Sequence, residues 1–140
     1  MVEQSSPVPR DDRFRIAVLT ADRLLADSLL AMLAAEGLAG SRITSRSGSR
    51  GRVLDVLVVE SHGLDDASWR GVEELLRDDP LLELVVVASE PSVHDAVETV
   101  RSGAYTVLQY PVSGEELSAA VTAAGRRKRR AAQRLSQIGV

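Results

Sequence analysis

The order of elements in this 140-residue chain predicts an α/β protein built on a parallel sheet with helices on both faces. Three observations carry that expectation. Short apolar runs rich in valine and leucine recur at residues 14–19, 54–60, 82–88 and 105–109. Between most of them lie stretches whose apolar residues repeat at helical spacing and begin at a capping side chain. The run Leu54 to Glu60, LDVLVVE, is apolar on both faces, as a central strand of a parallel sheet requires. Glu60 then stands at the carboxyl end of that strand, where open α/β sheets place their ligands and chemistry.

Residues 1–13, MVEQSSPVPRDDR, are polar with two prolines and read as a disordered N-terminal lead-in. Phe14 to Leu19 is the first strand. Asp22 is an N-cap for a helix from Arg23 to Glu36, with Leu24, Leu25, Leu29, Met32 and Leu33 at helical spacing and Gly37 ending it. In Gly40 to Arg52 the sequence supports a short edge strand at Ser41 to Thr44 and room for one helical turn at most. Asp65 and Asp66 cap a helix from about Ala67 to Arg77, whose inner face carries Trp69, Val72, Leu75 and Leu76. Leu82 to Ala88 is a buried strand. Val93 to Ser102 is a helix with Val93, Ala96, Val97 and Val100 on one face. Tyr105 to Gln109 is the last strand, and Ser113 with Glu116 forms a capping box for the final helix.

That helix is long. Leu117, Val121, Ala124, Lys128, Ala131, Leu135 and Ile138 alternate in steps of four and three, a heptad seam interrupted by Lys128 and weakened by two alanines. Its first half serves either its own domain or a partner, and its second half either a second chain or a linker. Residues 126–130 are five consecutive bases. With Arg134 they leave eleven bases against twenty acids before Arg126, an acidic body of net −9 followed by a +6 tail. Such a cluster reads either as a contact for nucleic acid or an acidic partner, or as a solvated helix end that complements the helix dipole. The natural divisions are thus 1–13, a domain at 14–125, and a basic helical extension or linker at 126–140.

Composition narrows the function classes. The absence of cysteine excludes disulfides, thiolate metal sites and cysteine nucleophiles. The two histidines, His62 and His94, do not make a structural zinc site, and each reads first as an exposed side chain. No apolar run is long enough to span a membrane, so a cytoplasmic protein is expected.

From about Phe14 to Ala124 the chain resembles the receiver domain of bacterial two-component response regulators. The segment SGAYTVLQYPVSGEEL carries the resemblance best, since it is similar to that family's GAxxYLxKP run and last helix. The resemblance implies a flavodoxin-like (βα)5 fold with strand order 2-1-3-4-5, a shortened or missing second helix and an extended last helix. It also implies a cis Tyr110–Pro111 bond, because the family's turn needs one and an aromatic residue before proline favours it.

Receiver chemistry places a phosphoryl group on an aspartate at the end of the central strand. An acidic pair holds Mg²⁺, and a Thr or Ser and a Lys bind the phosphoryl oxygens. Here the acceptor position holds Glu60. The acidic pair falls on Thr20 and Ala21, with only Asp22 beside them. The Thr/Ser position falls on Ala88, the aromatic switch position on Val107 and the Lys position on Tyr110, whose ring is placed to close the pocket. Every chemical position is changed, so the resemblance implies an atypical receiver with neither enzymatic activity nor a cofactor. Glu60 itself has two readings: a built-in mimic of phospho-aspartate, or a carboxylate tolerated at the solvent-facing rim of an inactive pocket.

The function expected from these residues is phosphorylation-independent. The domain acts by dimerisation or partner binding through the last strand and the last two helices, with Leu117, Val121, Arg126, Arg127, Lys128, Arg129 and Arg130 as candidate contacts. The setting expected is transcriptional regulation, with DNA contacted only through a separate output domain. The alternative is a sensor that binds a small molecule in the vacated pocket.

Overall fold

A computed structural model describes residues 14–44, 53–61, 64–88 and 104–137. Five strands, β1 (Ile16–Leu19), β2 (Gly40–Ile43), β3 (Val56–Glu60), β4 (Glu83–Ala88) and β5 (Ala104–Gln109), form one sheet in the order β2-β1-β3-β4-β5. Every neighbouring pair is parallel. Three helices are described: α1 (Arg23–Ala35), α2 (Asp66–Asp78) and α3 (Gly114–Gln137). The expected helix at 93–102, the lead-in, His62, His94 and the segment where a second helix was expected to be short or missing lie outside the described residues.

The strands separate their side chains onto two faces. Ile16, Val18, Val56, Val58, Val85 and Val87 meet α1 and α3 through Leu29, Leu33, Leu117, Val121 and Ala124. The alternate residues Ala17, Leu19, Leu57, Val59, Leu84 and Val86 meet α2 through Val72, with Trp69, Leu75 and Leu76 at the margin. All five residues of β3 are buried, as expected from its unbroken apolar run.

Local chemistry sets the helix ends. The Asp22 carboxylate accepts from the backbone N–H groups of Leu24 and Leu25 at 2.8 and 3.3 Å. At the other end of α1, Gly37 adopts φ +82°, and the N–H groups of Gly37 and Leu38 donate to the carbonyls of Ala34 and Leu33. This is a Schellman closure, and Leu33 and Leu38 both enter the core beneath it. Ser113 and Glu116 exchange side chain–backbone hydrogen bonds at the start of α3, the capping box expected there.

The final helix runs unbroken past residue 126, the extended last helix that was expected, and its packing on the sheet continues beyond residue 125. Lys128 is buried, and its Nζ donates to the Leu54 carbonyl at 2.6 Å and to Asp79 Oδ2 at 3.0 Å, 3.7 Å from Asp55 Oδ1. Arg129 reaches Asp55 Oδ2 at 3.3 Å and lies over the Phe14 ring. Arg127 sits 3.8 Å from Glu83. Three of the five consecutive bases thus face acids at the amino-terminal edge of the sheet. The sequence leaves the first half of the seam open between its own domain and a partner. Leu117, Val121 and Lys128 were candidate partner contacts, but all three are buried in their own domain, because the seam faces β3, β4 and α1.

Phe14 and Gly125 meet at this helix. A Cβ on Gly125 would lie 2.5 Å from Phe14 Cδ1, so the ring sits where a side chain on the helix would be. Replacing a mid-helix glycine with alanine normally favours the helix by about 1 kcal/mol. Here the overlap outweighs that gain, and Gly125→Ala is expected to destabilise the chain by about 1–2 kcal/mol. A lowered urea midpoint at unchanged slope checks this.

Candidate functional site

The carboxyl ends of β1, β3 and β5 bring Thr20, Asp22, Glu60 and Tyr110 together. Glu60 still lies within the ladder, paired with Val87, and it is completely buried. Its side chain follows Val58 onto the face covered by α1 and α3. The Thr20 hydroxyl donates to Glu60 Oε1 at 3.1 Å and accepts from the backbone N–H of Asp22 at 3.1 Å. Thr20 is itself buried. A carboxylate at a solvent-facing rim is therefore not what this chain has. The side chain leaves the sheet at the last residue of β3, beside Thr20, where water does not reach it.

Tyr110 follows β5. Its backbone N–H donates to the Ala88 carbonyl at 2.9 Å, and the Tyr110–Pro111 bond is cis. The ring packs against the core, and its hydroxyl is buried with no hydrogen-bond partner. Burial raises the tyrosine pKa first, and the negative charges of Glu60 and Asp22 raise it further. The remaining positions take no part in the polar cluster. Ala21 is exposed, Ala88 is a buried apolar side chain, Val107 is 41% exposed on β5, and Pro111 is at the surface.

Arg42 was not foreseen from the sequence. It lies on β2 beside Val18, and one guanidinium nitrogen donates to the Thr20 carbonyl at 3.3 Å, while its Nε is buried without a partner. The signal available was only an arginine in a short edge strand, which says nothing of where its long side chain ends.

The donor set does not fit a divalent ion. Of the positions expected to hold one, Thr20 is engaged with Glu60 and Ala21 has no donor. Asp22 caps α1 through its Oδ1. Among the described residues, no three acidic, histidine or cysteine side chains are grouped to hold a metal.

Strand order, parallel pairing and a polar cluster at the carboxyl ends can be compared with known structures. A CheY-like response regulator receiver domain protein from Methanospirillum hungatei superposes with a TM-score of 0.73 over 84% of this chain and 98% of that one, at 16% identity. This chain has the receiver fold. NtrX from Brucella abortus matches 90% of it at a TM-score of 0.76 and 17% identity, over 30% of the longer protein. A chain from Burkholderia thailandensis, described as a pilus assembly protein, matches 79% of this chain and 97% of that one at 0.69 and 24% identity. No family model and no curated protein matches the sequence. The receiver fold is thus shown by structure, at identities that carry no residue roles across.

Two substitutions test the cluster. Thr20→Val removes the donor to a fully buried carboxylate and is expected to destabilise the fold by about 1–3 kcal/mol. Tyr110→Phe removes an unpartnered buried hydroxyl and is expected to stabilise it by about 1 kcal/mol. A raised tyrosine pKa favours the neutral hydroxyl in the folded chain. That contribution is complete below the ordinary value of about 10 and is lost as pH rises through the raised value. Denaturation curves at rising alkaline pH should therefore fall more steeply for the natural chain than for Tyr110→Phe.

Proposed function

We propose that this receiver-fold chain is a signalling domain that works without phosphoryl transfer. It acts as a non-catalytic module that binds a partner or a second copy of itself in transcriptional regulation. One observation carries the proposal: the carboxylate at the acceptor position is fully buried and already hydrogen-bonded to Thr20. A phosphoryl donor needs an exposed oxygen beside a bound cation, and here Asp22, an exposed carboxylate two residues after Thr20, closes a helix end. A signal read at the surface suits such a domain. The surface that remains for it includes Val107 on β5 and the last turns of α3, where Ala131 and Leu135 continue the buried seam and Leu135 is 48% exposed. Arg126 and Arg130 are exposed on the same helix.

The second reading is a small-molecule sensor in the vacated pocket. It is supported by two buried polar atoms without partners, Tyr110 Oη and Arg42 Nε, near the carboxyl ends of the strands. A ligand with one acceptor for either group would be held there. Native mass spectrometry of the purified protein should show a bound small molecule if this reading holds, and its retention after Tyr110→Phe together with Arg42→Met would remove it.

Incubation with a small acyl phosphate and Mg²⁺, followed by intact mass, tests the first reading. No phosphoryl adduct is expected. An adduct abolished by Glu60→Gln overturns the proposal. Sedimentation of the full chain and of a chain ending at Arg129 tests the surface: a dimer that becomes a monomer supports self-association through the end of α3, and identical species exclude that face.

A further inference from the structure

The last helix has two regimes. From Leu117 to Arg129 it touches the sheet, and from Arg130 onward most side chains are exposed. The boundary coincides with a cluster at the opposite end of the sheet from Glu60. Asp55, at the entry to β3, accepts from the Arg15 backbone N–H at 2.8 Å and from Arg129 at 3.3 Å. Lys128 donates to the Leu54 carbonyl and to Asp79, and lies 3.7 Å from Asp55. The Asp55 backbone is fixed as well: its N–H donates to the Arg15 carbonyl, and its carbonyl accepts from Glu83 N–H.

We propose that Lys128 and Arg129 form an ionic latch that sets the axial and rotational register of α3 on the sheet. The latch thereby fixes the direction in which residues 130–137 are presented. Two physical properties distinguish the latch from the seam above it. Leu117, Val121 and Ala124 make apolar contacts, which favour burial but tolerate small slides and rotations. A buried ammonium has discrete partners at fixed distances, and a shift of part of a turn leaves it uncompensated and takes both cations away from the buried Asp55. Lys128 occupies the seam position that would otherwise hold an apolar side chain, so the polar group stands where it can select one register.

The consequence lies beyond the latch. Ala131 and Leu135 follow Lys128 on the same stripe, and Arg130 and Arg134 lie towards the opposite face. Once Lys128 is fixed, a continuous helix fixes the orientation of both faces. The latch rests on its own geometry and does not depend on which partner the end of α3 meets.

The chain has no cysteine, so a pair of introduced cysteines can carry spin labels without other changes. Glu36 at the end of α1 and Gln133 on α3 are exposed and suit this. Pulsed electron–electron resonance on Glu36→Cys/Gln133→Cys is expected to give one narrow distance distribution. Adding Lys128→Met, which fills the seam with an apolar side chain, is expected to widen or split it while circular dichroism keeps its helical signal. A narrow, unshifted distribution in folded Lys128→Met overturns the proposal. Should that variant not fold, Asp79→Asn decides on the same criterion, because it removes one partner of the latch at a half-exposed position and keeps the acceptor for Leu81 N–H.

Discussion

Burial of β3 on both faces is the constraint from which the rest of this structure follows. A strand covered above and below must end somewhere, and in this chain both ends carry a carboxylate. Asp55 stands at its entry and Glu60 at its exit, and both are buried. A buried carboxylate without partners is too costly to keep, so each end of the strand gathers donors. Arg15, Lys128 and Arg129 gather at Asp55, and Thr20 at Glu60. The first cluster draws the last helix onto the sheet. The second occupies the place where a receiver fold would do its chemistry.

The two ends are therefore alike in physics and different in consequence. At the amino-terminal edge, cations meet the acid, and the result is mechanical attachment. At the carboxyl edge, the described partner is a neutral hydroxyl, with a tyrosine ring beside it. Asp22 is close enough to act on that ring electrostatically, yet its carboxylate is engaged at the first turn of α1. A site built this way holds its carboxyl group inside rather than offering it to a ligand from solution.

Much of this was legible in the sequence. Short apolar runs, capping residues and the run LDVLVVE lead to the strands, the helix starts and the place of Glu60. Asp22, Gly37, Asp65 and Ser113 act as their residue types require. Burial of the Glu60 side chain was not legible. A glutamate ending a strand reads as a rim residue unless the depth of the sheet beneath α1 is known. The basic run misled for a related reason. Five consecutive bases read as one patch, but a helix turns 100° per residue and distributes them around its axis. Lys128 therefore points inward, Arg127 and Arg129 flank it towards acids, and Arg126 and Arg130 point outward. The acids they meet, Asp55, Asp79 and Glu83, come from segments roughly 45 to 75 residues away, a relation that only the parallel crossovers create.

Phe14 and Gly125 lie 111 positions apart in the sequence, yet the ring of one fills the space that a side chain on the other would need. Neither residue is free to drift alone over evolutionary time. A larger residue at 125 becomes tolerable only after Phe14 has been exchanged for something smaller, and that exchange on its own opens a void. Substitutions at the start of the domain and near its end are thus coupled as a pair. In a set of related sequences, that joint variation would mark which chains share this seating of the last helix.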